Sequence, residues 1–364
     1  MRTALSYNEI RRFSKEISIG GVKIGGCNPI AVQSMTNVNG YENIYRQMKE
    51  LEEAGCDIIR MSVPDMESAE VLGRLKKSDI KMPIVADIHF DWRLAIESCR
   101  QGADKIRINP GNIGSKDKIE AVARACRERD IAIRVGVNGG SVDRSGLDKY
   151  GSPTPEYLAE SALSNVKLLE ECDFGNIVVA VKSSDVLTAV NANRIIGART
   201  EYPIHVGITE AGGGKNGLIK GSVGIGSCLL AGVGDTVRVS LTNDPVDEVH
   251  AAKSILKSVG FYGKPSVNVV SCPTCARTKI DLISIAEKVE KAVAPMKVSR
   301  NITVAVMGCV VNGPGEGRDA DVGIAGGAGE AVLFVKGDVI GKIKEEDIIS
   351  TLLTWVDKID KGNI

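Results

Sequence analysis

Ala103-Asp104-Lys105-Ile106-Arg107-Ile108-Asn109-Pro110-Gly111-Asn112 leads, through an amphipathic stretch over 116–129, into Ile131-Ala132-Ile133-Arg134-Val135-Gly136-Val137-Asn138-Gly139-Gly140. A short β-branched run ending in polar residues, a helical stretch and a second such run make the pattern of a βαβ unit. The pattern continues in both directions. Comparable runs occupy residues 28–36, 56–64, 82–90, 176–185, 202–213 and 235–242, which brings the total to eight. Helix-like segments lie between them, such as 44–54 with Ile44, Met48 and Leu51 on one face, and 68–77, 93–101 and 156–171. Eight such units match the length and rhythm of a (β/α)8 barrel, a TIM barrel. An open doubly wound sheet alternates in the same way but has no reason to stop at eight.

Beyond the eighth run a closing helix is expected over 245–259, with Asp244 as N-cap, Pro245 in its first turn and Gly260 after its last. Residues 261–265 read as a linker. The chain is therefore expected to divide into a barrel domain, 1–260, and a smaller α+β domain, 261–364. In the second, strands are expected at 267–270 and 302–307 and a helix at 282–293. A hairpin over 331–336 and 339–343 and a terminal amphipathic helix over 345–359 complete it.

Composition narrows the class. Of 364 residues, 46 are Lys or Arg and 46 Asp or Glu, so the chain has no net charge. That argues against a non-specific nucleic-acid binder, which needs a basic excess. The longest uncharged stretches, 221–234 and 301–315, are Gly-rich and shorter than the ~18 apolar residues of a membrane span. The N-terminus has no apolar signal core and carries Glu9 and Glu16, so a cytoplasmic protein is expected. Six of the nine cysteines stand singly, at 27, 56, 99, 126, 172 and 228, and are expected to be buried small hydrophobes.

Barrel enzymes keep their chemistry at the carboxyl ends of the strands. Here those ends carry Arg60, then Asp87 and His89, Arg107 and Asn109, Arg134 and Asn138, Lys182, Thr209 and Glu210, and finally Arg238 and Ser240. Even spacing puts Arg107 with Asn109, Arg134 with Asn138 and Arg238 with Ser240 on one strand face each. Five cations converging on one mouth repel each other, and Asp87 and Glu210 neutralise only two. Phosphate oxygens would satisfy the rest, so the expected ligand is a small, strongly anionic molecule such as a diphosphate. The Gly-rich loop over 211–217 reads either as a source of backbone N–H groups for phosphate or as a lid. His89 reads equally as an interior histidine or a proton shuttle, while His205 reads as core. Three scattered histidines argue against a His-ligated catalytic metal.

The second module carries Cys272-Pro273-Thr274-Cys275 directly after a strand, and Cys309 in Gly308-Cys309-Val310-Val311-Asn312-Gly313-Pro314-Gly315-Glu316. A redox dithiol would leave Cys309 idle, and structural zinc wants a second knuckle that is missing. Three thiolates suit a [4Fe–4S] cluster with one iron not held by sulfur. Glu316 reads either as an oxygen ligand to that iron or as a solvated loop carboxylate.

Taken together, the Cys-Pro-Thr-Cys knuckle, the segment 308–316, Arg107-Ile108-Asn109-Pro110-Gly111-Asn112 and Arg134-Val135-Gly136-Val137-Asn138 resemble the 4-hydroxy-3-methylbut-2-enyl diphosphate synthase family. The resemblance runs end to end, in the two-domain bacterial form. It implies an oxidoreductase of the non-mevalonate (MEP) isoprenoid pathway. Such an enzyme reductively opens 2-C-methyl-D-erythritol 2,4-cyclodiphosphate and dehydrates it to (E)-4-hydroxy-3-methylbut-2-enyl diphosphate, with the substrate bound at the unique iron. It implies cluster ligands at Cys272, Cys275, Cys309 and Glu316, and substrate contacts at Arg60, Asp87, Arg107, Arg134, Asn138, Lys182, Thr209, Glu210, Arg238, Ser240 and Asn312. Glu210 would be the proton donor or relay, and flavodoxin or ferredoxin the electron donor.

The chain length also bears on assembly. A closing helix of fifteen residues descends roughly 22 Å from the mouth, and the linker after it spans at most about 25 Å. A head-to-tail homodimer, in which the cluster module of one chain caps the mouth of the other, removes the need for a return along the barrel flank. Two other classes compete: a non-redox pterin- or phosphate-binding barrel transferase with a structural zinc, and a non-enzymatic iron–sulfur electron carrier.

Overall fold

The computed structural model describes residues 10–138, 153–311, 315 and 317–363. It opens with a small hairpin, Ile17–Ile19 (β1) against Val22–Ile24 (β2). Eight parallel strands follow: Ala31–Met35 (β3), Ile58–Ser62 (β4), Ile84–Asp87 (β5), Lys105–Ile108 (β6), Ala132–Asn138 (β7), Ile177–Lys182 (β8), His205–Val206 (β9) and Thr236–Val237 (β10). Their order is β8-β7-β6-β5-β4-β3-β10-β9, and a parallel bridge from Val179 to Ile204 closes the ring. The expected (β/α)8 barrel is present. Its last two strands are short, so most of runs 202–213 and 235–242 is loop.

Period-two alternation explains how the barrel is filled. Outward-facing Val32, Ile59, Met61, Ile84, Ile106, Ile133, Val135, Val179 and Val206 pack against Met48, Leu51, Leu72, Leu158, Ile196 and Ile255 of the surrounding helices. At the floor, inward-facing Ala31, Ile58, Val85, Ala132 and Val178 meet Ile17, Ile19 and Ile24 of the hairpin, which plugs the amino-terminal end. Two residues further along the same strand faces come Gln33, Arg60, Asp87, Arg134 and Ala180, so the interior turns from apolar to charged within one layer. Barrel interiors are usually filled by Val, Ile and Leu at every level.

The hairpin plug is absent from the sequence reading, although its signal is there. Ile17-Ser18-Ile19 and Val22-Lys23-Ile24 alternate around Gly20-Gly21, whose φ values of 52° and 90° are the two positive angles a tight primed turn requires. After the last barrel strand the closing helix runs along the outside of the barrel over Pro245–Ser258, and the Asp244 carboxylate accepts the Val246 N–H at 2.8 Å. Phe261, read as linker, packs into the barrel core. The chain divides into compact units after Gly263.

The second unit is a five-stranded sheet in the order Val267–Ser271 (β11), Ile302–Met307 (β12), Val322–Gly326 (β13), Glu330–Val335 (β14) and Asp338–Lys344 (β15). The first three strands are parallel and the last two pair antiparallel. Helices Leu282–Val293 and Ile348–Asp360 bury one apolar stripe each against the sheet. The sequence reading omits β13. Gly323 and Gly326 weaken its strand pattern, yet a Cβ at Gly323 would lie 2.4 Å from the Phe334 ring, so glycine is what lets Phe334 cross the sheet.

No helix among the described residues is long and apolar enough to cross a membrane. Five of the six single cysteines are buried as expected. Cys27 is exposed, in a left-handed turn with φ 69°.

Ile19 has no exposed surface. Ile19→Ala should cost about 2–5 kcal/mol by emptying the plug, read as a lower denaturant midpoint for barrel unfolding. An unchanged midpoint would show the plug to be dispensable.

Candidate active site

At the carboxyl ends of the strands a cavity of about 120 Å³ is lined by Arg60, Asp87, His89, Arg107, Arg134, Asn138, Lys182, Thr209, Arg238 and Ser240, with backbone space from Gly136 and Ala180. The structure thus brings together nine of the barrel residues singled out from sequence as substrate contacts, with His89 beside them. Arg60 and Arg134 sit inside their strands rather than at the ends, so the chamber reaches deeper into the barrel than strand-end reasoning implied.

Asp87 is the carboxylate around which this chamber is arranged. Its Oδ1 accepts from Arg107 Nη1 at 3.1 Å, Oδ2 lies 3.7 Å from Arg60 Nε, and His89 Nε2 is 3.9 Å away. Burial alone would raise its pKa, but Arg60, Arg107 and Arg134 outweigh that and hold it below the ordinary carboxylate value. Arg60 also points Nε and Nη2 at the Met35 sulfur, at 3.1 and 2.7 Å.

The second carboxylate of the mouth is Glu248, not Glu210. Glu248 rises from the closing helix, is buried, and meets the Arg238 guanidinium at 3.3 Å while accepting the Leu241 N–H at 2.9 Å. Sequence reasoning missed it, though a signal existed. Glu248 shares the buried stripe of its helix with Ala252, Ile255 and Leu256, where a carboxylate needs a partner. Glu210 is exposed, next to cavity-lining Thr209, and its backbone adopts the left-handed φ of 52°. Such strain in a non-glycine residue clusters at functional sites.

The structure bears on three further readings. Asn109 does not line the chamber, because Pro110 begins a short helix there and Asn109 accepts instead from Asn165 Nδ2. The 211–217 loop is partly helical: Gly213 caps the helix Gly214–Leu230, and none of its residues lines the chamber. His89 is half-exposed at the mouth rather than an interior histidine.

What the chamber lacks is negative charge. Arg60, Arg107, Arg134, Lys182 and Arg238 face two carboxylates among the described residues. Arg134 is fully buried, and among the described residues its Nε and Nη1 have no hydrogen-bond partner; nor has Arg107 Nε. Each unpaired buried donor costs about 1–3 kcal/mol. An anion rich in oxygens relieves that cost with charge-assisted hydrogen bonds. Burial, with the neighbouring guanidiniums, pushes the Lys182 pKa well below its ordinary value.

In the second unit the register Ser271↔Val306 sets Cys272 beside Met307, so the loops bearing Cys272, Cys275 and Cys309 leave one end of two adjacent parallel strands. The Gly308 N–H donates to Cys272 Sγ at 3.2 Å, one residue before Cys309. None of the three forms a disulfide; Cys309 is buried, Cys272 half-buried and Cys275 exposed. Among the described residues no three His, Cys, Asp or Glu side chains are already gathered into a metal-binding group. Asn312 and Glu316 lie outside the described residues.

These parts define a class: a (β/α)8 barrel whose mouth is built for a small polyanion, carried on one chain with a thiol-bearing α+β module. The chain matches the models of the GcpE TIM-barrel domain over residues 14–253 and the GcpE protein C-terminal domain over residues 268–358. It belongs to the GcpE family, and the resemblance read from its motifs is borne out. It is 51% identical, over 96% of its length and 99% of the relative's, to the 4-hydroxy-3-methylbut-2-en-1-yl diphosphate synthase (flavodoxin) of Clostridium perfringens. It is 52% identical, with the same coverage, to the protein of that name from Caldicellulosiruptor saccharolyticus. Among solved structures, type I 3-dehydroquinate dehydratase from Clostridium difficile is similar with a TM-score of 0.50 and 15% identity. The match covers 68% of this chain and 98% of that one, and shows the fold alone.

Gly136 is a residue whose role only the structure reveals. A Cβ there would lie 2.7 Å from Arg107 Nε. Gly136→Ala should push that guanidinium aside and weaken binding of inorganic pyrophosphate by roughly tenfold, the worth of one charged hydrogen bond, in calorimetric titration. An unchanged affinity would remove Arg107 from the anion site.

Proposed function

We propose that this chain is a 4-hydroxy-3-methylbut-2-en-1-yl diphosphate synthase. It opens the ring of 2-C-methyl-D-erythritol 2,4-cyclodiphosphate with two electrons and releases (E)-4-hydroxy-3-methylbut-2-enyl diphosphate and water. The observation that carries the reading is the convergence of Arg60, Arg107, Arg134, Lys182 and Arg238 on one chamber with unpaired, buried donors. Full-length identity to relatives bearing that name supports it.

In this reading residues 1–260 bind substrate and residues 261–364 hold a [4Fe–4S] cluster. The thiolates of Cys272, Cys275 and Cys309 with the Glu316 carboxylate make the ligand set. The shared sheet end and the Gly308 N–H at the Cys272 sulfur fit that role, since peptide N–H groups commonly tune cluster thiolates. Holding the metal would require the three thiols to be gathered around it, which would couple cluster insertion to the local fold. When bound, the cluster supplies electrons one at a time and a Lewis-acidic iron for the substrate. Flavodoxin, which the relatives' names carry, is the proposed donor, with ferredoxin as the other candidate.

The chain's own residues do the rest. Breaking the ring C–O bond leaves a new charge on a phosphate oxygen, and donors that are already desolvated stabilise it without reorganising. Asp87 keeps Arg60 and Arg107 in place for this work, and Glu248 does so for Arg238. Asn138, Thr209 and Ser240 supply neutral hydrogen bonds at the rim, and Asn312 completes the contact set. The hydroxyl that leaves as water needs a proton, assigned to Glu210 on the rim; His89 is the second proton-handling group within reach of the chamber.

A head-to-tail homodimer brings a partner's cluster module over the mouth. The closing helix supports this, because its fourteen residues lead the chain away from the strand ends. The cytoplasm is the proposed compartment, where free thiols stay reduced.

Anaerobic purification with iron and sulfide analysis, followed by turnover of the cyclic diphosphate with a chemical reductant, tests the whole reading. A brown protein that releases the linear diphosphate is expected; a colourless, zinc-containing and inactive one would refute it. Glu316→Ala should lower iron content per chain and change the electronic spectrum. Full iron content with an unaltered spectrum would take that residue out of the ligand set.

A further inference from the structure

Beneath the chamber lies a group that the reaction does not obviously need. Lys105 on β6 is fully buried. Among the described residues its Nζ has one hydrogen bond, to Gln33 Oε1 at 3.3 Å, and no carboxylate answers it. The groups that face it are cations or neutral: Arg60 from β4, Arg134 from β7, His205 from β9 and the Gln33 amide from β3. Asp87 on β5 is spent on Arg60 and Arg107, and Lys182 on β8 lines the chamber above. His205 is buried too, with Nδ1 2.7 Å from Thr236 Oγ1 and, among the described residues, no partner for Nε2.

We propose that Lys105 senses the charge of the bound substrate: it stands neutral in the empty barrel and takes up one proton when an anion fills the mouth. The inference rests on the proposed function for the identity of that anion. The geometry carries it. An ammonium sealed among two guanidiniums with one amide oxygen is unfavourable, and burial together with Arg134 and Arg60 pushes the Lys105 pKa well down. A diphosphate held by Arg107, Arg134 and Lys182 cancels the repulsion that kept the amine neutral. Binding and protonation then favour each other by the same factor, because coupling between two sites is reciprocal. Lys105 acts through Arg134 and is a positioning residue, not a catalytic one.

The sign is fixed. The proton is held more strongly in the bound state, so affinity rises as pH falls. The gain reaches about tenfold per pH unit between the two pKa values and levels off below the lower one. The test is calorimetric titration of the oxidised holoenzyme with the cyclic diphosphate, without reductant so that nothing turns over. Buffers of different ionisation enthalpy count the protons taken up. Each phosphate of the ring carries one ester and one anhydride link, leaving a single strongly acidic oxygen that stays ionised near neutrality, so any proton goes to the protein.

Uptake of up to about one proton per ligand is expected over roughly pH 6 to 9, with a matching slope in the affinity. Lys105→Met should lose that uptake and flatten the slope while iron content and spectrum stay as they were. Should that variant fail to fold, Lys105→Arg, charged at every pH, must lose the uptake as well. Uptake that persists in a folded Lys105 variant would assign the proton to Lys182 or His205 and overturn the proposal. Binding with no uptake in the unaltered enzyme would overturn it too. Failure of the cyclic diphosphate to bind at all would instead defeat the proposed function.

Discussion

A cluster of positive charge buried inside a barrel is the constraint on which the rest of the structure depends. Arg60, Arg107 and Arg134 lie on neighbouring strand faces with little access to water. Guanidinium groups do not surrender their protons, so they cannot escape burial by becoming neutral. Among the described residues the fold answers with two carboxylates, and it places them where they steer rather than neutralise. Asp87 ties Arg60 to Arg107 across β4, β5 and β6, and Glu248 ties Arg238 to the closing helix. Among the described residues nothing balances the remaining positive charge, which is how a site for a polyanion is preorganised.

Such a site has to be supported from outside and below. The outer faces of the strands and the inner faces of the helices form one continuous apolar core. The floor is sealed by the Ile17–Ile24 hairpin, which keeps water from reaching the cations through the amino-terminal end. Above the floor, glycines make room where charged side chains need it: Gly136 beside Arg107, and Gly207, whose Cβ would lie 3.1 Å from Lys182 Nζ. Hydrophobic burial is worth roughly 25 cal/mol per Å², and it is this outer core that offsets the unfavourable charge within.

Much of this was legible in the sequence, for physical reasons. Eight β-branched runs separated by amphipathic stretches leave few alternatives to a closed barrel, and period-two spacing placed Arg134 with Asn138 and Arg238 with Ser240 correctly. Local chemistry misled at Asn109, where Pro110 turns the chain into a helix before the alternation can continue. Glu248 escaped notice because its partner, Arg238, follows the last barrel strand, and only the turn into the closing helix brings the two together. Glu210 was counted among the neutralising charges because it ends a run; three dimensions put it on the rim. The plug hairpin and β13 were hidden by glycines, which lower strand propensity even where the packing requires them.

The most direct test of the central claim asks whether the barrel holds uncompensated charge that an anion relieves. Thermal unfolding should be followed with rising inorganic pyrophosphate and, in parallel, with sodium chloride at matched ionic strength, since general screening acts alike in both. The account predicts a saturable rise in Tm of several degrees with pyrophosphate, as expected for a ligand that binds only the native state, and little change with chloride. Equal effects of the two salts, or none from either, would contradict it.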